Sequence, residues 1–387
     1  MRTIRPPWLV LGFVIACNSG SATPSPTPSA PSSPAAPAMT PATPAIDLAG
    51  GEQLYMQLCA ACHGKDAKGY AADHAPSLIN PTFLESATDE FLRRSIIMGR
   101  PGTSMAGYGK PRGGPLTDQA VDNIVGYLRS LGPAAKALPP VVLGDPAIGA
   151  KVYAASCKSC HGDVATRGEA VHLANAQFLQ HASDAFIHHA VVFGRPGTKM
   201  EAFASKLTPA QLVDVVAFVR GFAATAPKAA MLAAPTGKEP LVINPKAKDA
   251  ALTIRDHRFV SVDHVNRELA AKRRMVIIDA RPPSEWMRAH IKGAVSIPYH
   301  DMKRLAEIPK DVPAIAYCAC PHHLSGIVVD ELIKLGHKKA YVLDEGVNEW
   351  HRRGYPMTVA EGVTAPAMEA PHGHSHDGHD HGHGHAH

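Results

Sequence analysis

The chain has 387 residues, 45% hydrophobic and 19% charged, which allows two or three domains, each with its own core. A net charge of +5 over that length, with no basic run interleaved with aromatics, argues against nucleic acid as a partner. Seven cysteines are too few for a disulfide scaffold.

The N-terminus reads as a targeting signal. Arg2 and Arg5 precede an apolar stretch from Trp8 to Ala16, which is too short to span a bilayer. It ends in Val14-Ile15-Ala16-Cys17, which resembles the lipobox of bacterial lipoproteins. The resemblance implies a signal peptide over 1–17 and acyl chains on Cys17, hence a membrane partner reached through a lipid anchor. Plain secretion with cleavage near Ala16 is the alternative. Residues 18–47 are mostly Ser, Thr, Pro and Ala, a linker that cannot bury enough apolar surface to fold.

Two blocks follow, 48–133 and 145–225, and they are an internal repeat. Gly51-Glu-Gln-Leu-Tyr55-Met-Gln-Leu-Cys59 matches Gly149-Ala-Lys-Val-Tyr153-Ala-Ala-Ser-Cys157, and Gly99-Arg-Pro-Gly-Thr103 matches Gly194-Arg-Pro-Gly-Thr198. The offset falls from 98 residues (Cys59 to Cys157) to 95 (Gly99 to Gly194), so the second copy is three residues shorter between those points. Each block ends in a helix opened by a capping threonine, Thr117 and Thr208.

Cys59-Ala-Ala-Cys62-His63 and Cys157-Lys-Ser-Cys160-His161 have the spacing of c-type haem attachment. Two cysteines on one turn can form thioethers with a haem edge, and the following histidine lies beneath the iron. A zinc site would need a second Cys/His pair near each motif, and neither has one. Met105 follows His63 by 42 residues and Met200 follows His161 by 39. Each stands just past the Gly-Arg-Pro-Gly-Thr run, unlike a core methionine on a helical stripe, and is the expected sixth ligand. Met56 and Met98 lie in helical patterns and read as packing. His172, His181, His188 and His189 are competing ligands in the second block, with a solvated or packed face the preferred role for His188 and His189.

These blocks resemble class I cytochrome c domains. The resemblance implies an all-α fold in which first and last helices cross at Gly126-Tyr127 and Ala217-Phe218. It also implies that the Pro76 carbonyl orients His63. Val171 stands at the matching position of block two, so a neighbouring carbonyl is expected to serve there. His-Met ligation raises a haem potential relative to His-His.

After a linker at 226–248, block three (249–359) changes rhythm. Met275–Asp279, Ala314–Tyr317 and Ala340–Leu343 are short β-rich runs, and Ile327–Leu335 is a helical pattern stopped by Gly336. Alternating strands and helices predict an α/β domain with a parallel sheet. Asp279-Ala-Arg281-Pro-Pro-Ser-Glu285-Trp286, His290-Ile-Lys-Gly-Ala-Val-Ser-Ile-Pro298 and Leu343-Asp-Glu-Gly346…Trp350 resemble the rhodanese domain. That family carries sulfur as a persulfide on a loop cysteine, here Cys318, while Asp279, Arg281, Glu285 and His290 stand at structural positions. The loop departs from the family in lacking its glycine and arginine. It reads Cys318-Ala-Cys320-Pro-His-His-Leu-Ser325 instead.

Three readings of the loop stay open. Cys318 is a persulfide nucleophile with Cys320 as resolving thiol or acceptor; the pair is inert; or the two hold a metal with His322 or His323. Helix-dipole and amide groups at such a loop favour the thiolate. Loss of the arginine weakens binding of an anionic donor such as thiosulfate.

The tail, 360–387, contains eight histidines from His372 onward, spaced by Gly and Asp, and is expected to be disordered and able to bind Zn, Ni or Cu. The whole reads as a dihaem c-type cytochrome on the bacterial periplasmic face or outer membrane. Its expected partners are redox proteins of a respiratory or sulfur-oxidising chain and a small sulfur compound. A plain respiratory shuttle with a non-catalytic third domain, and a metal-handling lipoprotein, are the competing readings.

Overall fold

The computed structural model describes residues 45–70, 74–225, 230–319, 323–364 and 368–369. Cys17, Cys320 and the His-rich tail lie outside the described residues. Among the described residues no helix is long and apolar enough to cross a membrane.

The first block is helical: α1 (Leu48–Leu58), α2 (Ala60–His63), α3 (Pro81–Ser86), α4 (Asp89–Met98) and α5 (Asp118–Ser130). The second repeats it with α6 (Pro146–Ser156), α7 (Lys158–His161), α8 (Ala176–His181), α9 (Asp184–Phe193) and α10 (Pro209–Thr225), plus a two-residue strand β1 (Thr166–Arg167). Thr117 caps α5 by accepting from Ala120 N at 3.2 Å. Thr208 and Gln211 cap α10 reciprocally, at 3.0 and 3.3 Å. The terminal helices cross because Gly51 and Gly149 carry no side chain there. A Cβ on Gly51 would lie 2.1 Å from Asn123 O, and one on Gly149 2.0 Å from Asp214 O. Tyr55 against Tyr127 (5.5 Å) and Tyr153 against Phe218 (5.1 Å) fill each crossing.

The two blocks share one apolar core. Phe83 and Phe91 from the first meet Phe178 and Phe186 from the second, with Phe91 and Phe186 centred 4.7 Å apart. Arg100 lies over Phe91 and Phe178, and Arg195 over Phe83 and Phe186. Burial pulls both guanidiniums down to about 10.

The third block is α/β, as expected. After β2 (Phe259–Val260) and α11 (Val262–Ala270) come β3 (Val276–Asp279), α12 (Pro283–Trp286), β4 (Ala289–Ile291), β5 (Val295–Ser296) and β6 (Ala314–Tyr317). The chain continues with α13 (Leu324–Lys334), β7 (Ala340–Leu343), α14 (Gly346–Arg352), β8 (Met357–Val359) and β9 (Met368–Glu369). Five strands form a parallel sheet in the order β2-β7-β6-β3-β5, and β4 pairs antiparallel with β8. Alternate residues face opposite sides. Val276, Ile278, Ala314, Ala316 and Val342 pack with Val328, Val329 and Leu332 of α13. Met275, Ile277, Ile315, Tyr317 and Leu343 pack with Val262, Val265, Val347 and Trp350 on the other face. Each fully buried Val or Ile contributes about 1.5–3 kcal/mol, so both faces anchor the strand end that carries Cys318.

Segment 230–248, expected as linker, lies along the third block: Leu232 N donates to Met287 O at 2.7 Å and Ile243 N to Met275 O at 2.8 Å. Leu241, Val242 and Ile243 pack against its two cores, which is why this stretch is held. The third block packs on the first, although the second precedes it in the chain. Tyr299 Oη donates to Leu58 O at 2.8 Å, so the 3.0 Å contact between Tyr108 and Tyr299 is a donation from Tyr108. Gly107 N donates to Ser284 Oγ at 3.0 Å.

Candidate functional site

Each Cys-x-x-Cys-His motif sits on the short helix after the crossing helix, α2 or α7. A tyrosine fixes the exit in both copies: Tyr55 Oη donates to Gly64 O at 2.7 Å and Tyr153 Oη to Gly162 O at 2.8 Å. His63 Nδ1 donates to Pro76 O at 2.9 Å, and His161 Nδ1 donates to Val171 O at 2.7 Å. The expectation of a neighbouring carbonyl in block two is thus corrected: Val171 itself serves, because the bond uses the main chain and not the proline ring. With Nδ1 committed, Nε2 is the ring nitrogen left with a lone pair. Burial also pulls both imidazoles below their ordinary range, favouring the neutral form a metal ligand needs.

The methionine loops are likewise duplicated. Arg100 N donates to Met105 O and Arg195 N to Met200 O, each at 2.7 Å, and Thr103 and Thr198 each accept from the methionine N–H at 3.1 Å. Gly99 (φ +67°) and Gly194 (φ +61°) open the loops; a Cβ on Gly99 would lie 2.4 Å from Ala106 C. Met98 packs against the core, whereas Met56 is 41% exposed and not the packing residue expected. His189 is buried against Phe193, and His172 Nε2 donates to Asp163 O at 2.7 Å. These residues fit a covalent haem with His and Met ligands in each block. Burial pushes the Cys59 thiol up to about 12 and the Cys157 thiol up to about 11, with the second cysteine of each motif adding to it. Among the described residues no cluster of three His, Cys, Asp or Glu is arranged to hold a metal ion.

In the third block, Arg281 grips Asp279 through Nε (2.9 Å) and Nη2 (2.7 Å), Tyr317 Oη donates to Asp279 Oδ2 at 2.9 Å, and Arg281 Nη2 also donates to Ala289 O at 2.7 Å. Burial lowers the Arg281 pKa, but the Asp279 carboxylate outweighs it and holds the guanidinium well above its usual range. His290 stacks on Trp286 and donates Nδ1 to Trp286 O at 3.0 Å. Asp279, Arg281 and His290 therefore brace the turn after β3, the structural role expected of them.

Cys318 directly follows β6 and is 1% exposed, with Sγ 3.3 Å from Ser325 Oγ in the first turn of α13. Val347 N donates to Cys318 O at 2.9 Å, tying the loop to α14. One narrow cleft of about 30 Å³ is lined by Cys318, His323 and Glu285 from the third block and by Cys62, Ser104 and Tyr108 from the first. Ser104 adjoins Met105 in sequence, so the cleft touches both the first haem motif and its methionine loop. Nothing in the sequence announced Tyr108, Ser284, Tyr299 or Ser325 as site residues. Their roles come from packing between blocks far apart in the chain.

Family models match in the same order: cytochrome c over residues 48–132, cytochrome c oxidase cbb3-type subunit III over 144–219, and the rhodanese-like domain over 261–353. The chain thus carries two cytochrome c domains followed by a rhodanese-like domain, and the paired cysteines imply two covalent haems c. The cbb3-type cytochrome c oxidase subunit CcoP of Azospirillum sp. (strain B510) is 31% identical over 191 residues, 44% of this chain and 61% of that protein. Dihydro-haem d1 dehydrogenase of Pseudomonas aeruginosa is 41% identical over 80 residues, 21% of this chain and 15% of that protein. The rhodanese-related protein of Thermoplasma volcanium aligns with 26% of this chain and 97% of its own, at 20% identity and a TM-score of 0.24. The chain spans about three fifths of the length of the oxidase subunits it matches.

Proposed function

We propose that this protein is an extracytoplasmic dihaem electron-transfer protein that takes its electrons from sulfur held on Cys318. The observation that carries this reading is the cleft shared by Cys318 and Cys62. Cys59, Cys62, Cys157 and Cys160 would hold the haems covalently, and His63 with Met105, and His161 with Met200, would ligate the iron. Each haem, when bound, would supply a one-electron oxidation, so the pair matches the two electrons released when an ionised Cys318 persulfide and a second thiolate RS⁻ join as Cys318–S–S–S–R.

The chain's own part is sulfur binding. The Cys318 thiolate attacks the outer sulfur of a small donor R–S–SH, forming Cys318–S–SH and releasing RS⁻, with no net oxidation. Burial of Cys318 beside Ser325 shields that persulfide from water. Cys320 would act as resolving thiol or second acceptor. Glu285 on the cleft wall, with Arg281 already committed to Asp279, disfavours a dianionic donor such as thiosulfate. Cys17 would carry the lipid anchor, the domains would span 48–133, 145–225 and 249–359, and the His-rich tail would bind Zn, Ni or Cu. The matched oxidase subunits favour a respiratory acceptor. They also support a second reading, a shuttle whose rhodanese-like domain only docks.

Stopped-flow reduction of the full-length dihaem protein by a low-molecular-weight persulfide, sulfide or thiosulfate separates the two. Cys318→Ser is expected to slow reduction by the persulfide at least ~100-fold, about 2.7 kcal/mol of barrier. Equal rates in both proteins would leave the shuttle.

A further inference from the structure

Each methionine loop is held from the opposite cytochrome domain. Asn80 Nδ2 donates to Pro196 O at 2.9 Å, and Asn175 Nδ2 donates to Pro101 O at 2.9 Å. The two asparagines are 95 residues apart, as are the two prolines, so this is one contact made twice by the duplicated unit. Both asparagines are 6% exposed. Each stands just before a short helix, α3 or α8, and reaches across the shared aromatic core.

The acceptor lies where it can steer the methionine. Pro101 and Pro196 each precede the methionine by four residues. Within those four residues the loop is closed by the Arg100–Met105 and Arg195–Met200 main-chain bonds and the Thr103 and Thr198 hydroxyls. A loop so closed moves as a unit when its proline carbonyl is pulled. Apolar side chains would dock these domains equally well, since the four phenylalanines already bury the interface. A buried amide aimed at a main-chain carbonyl adds direction, because that bond is lost when the loop shifts.

The two halves are unequal. Thr82 Oγ1 donates to Gly194 O at 2.7 Å and accepts from Arg195 Nη1 at 3.2 Å, whereas its counterpart Gln177 has Oε1 buried without a partner among the described residues. The second loop is therefore held by two residues of the first domain. The first loop is held by Asn175 on one side and by Ser284 of the rhodanese-like domain on the other.

We propose that Asn80 is the positioning residue for Met200 and Asn175 the positioning residue for Met105, so that each haem's sixth ligand is set by the other domain. The inference rests on the reading of Met105 and Met200 as ligands. Its consequence is that the two haem sites are tuned as a pair.

The test uses the reduced full-length dihaem protein and the ring-current-shifted methyl signals of iron-bound methionines in proton NMR. Met105→Ala and Met200→Ala should each remove one signal and thereby assign both. If neither does, the ligand reading falls and this inference with it. Asn80→Ser keeps a polar side chain too short to reach Pro196 and removes no cap from α3, since the Asn80 side chain makes none. It should shift or broaden the Met200 signal and leave that of Met105 in place, and Asn175→Ser should do the reverse. Thr82→Val, which keeps the volume, should disturb the Met200 signal alone. With both ligands assigned, a change confined to the variant's own domain, or no change, overturns the crossed positioning while ligation stands.

Discussion

The two cytochrome domains share a fold, a motif and a loop, yet present those motifs differently. In the first, Ala60 is buried and Ala61 and Cys62 are half-buried; in the second, Lys158, Ser159 and Cys160 are exposed. The rhodanese-like domain causes part of this difference, through Tyr299 on Leu58 and the cleft beside Cys62. Duplication supplied two equivalent sites, and a third domain made them inequivalent. The first lies partly covered by the rhodanese-like domain, and the second is open to solvent.

The comparison breaks first at Tyr299. Tyr299→Ala removes a buried ring and leaves Leu58 O and Tyr108 Oη without their partner, a cost of about 3–5 kcal/mol. Urea denaturation should show this loss, and a small reductant should then reach the first haem as readily as the second. The next test sharpens what the domains share. Gly99→Ala and Gly194→Ala each force a side chain into positive φ against main chain, and should cost about 2–3 kcal/mol each. Thermal unfolding showing equal losses would place the loops on the same footing.

Tyr55→Phe and Tyr153→Phe each delete one hydrogen bond to a glycine carbonyl and should cost about 1 kcal/mol apiece by the same assay. The smallest effect is predicted for Val171→Pro, which restores the residue type of the first domain. Since the His161 bond uses the carbonyl, stability should change by less than about 0.5 kcal/mol and the spectrum of the second haem not at all. A clear spectral shift would mean that the side chain matters.

Much of this was legible in the sequence because it is local. The motif spacing, the capping threonines and the β-rich runs ending at Asp279, Tyr317 and Leu343 each depend on near neighbours. The α13 boundary moved to Leu324–Lys334 from the expected Ile327–Leu335, since the pattern did not register Ser325 turning toward Cys318. Val171 was misread because a missing proline was taken as a missing carbonyl. The crossed asparagines, the Tyr108–Tyr299 pair and the shared cleft were invisible. The two asparagine bonds and the tyrosine pair join residues separated by 116, 74 and 191 positions, and no short-range pattern encodes which surfaces will meet.

The order of domains along the chain differs from their order in space, and this bears on how the protein is made. Domains emerge and fold from the N-terminus. The first motif, with Cys59, Cys62 and His63, therefore leaves the ribosome ahead of the rhodanese-like domain. Only when residues 261–353 follow does Tyr299 close over Leu58. Load first and cover last is the expected order, and a circular permutant beginning with the rhodanese-like domain would have to load its first haem behind a closed door.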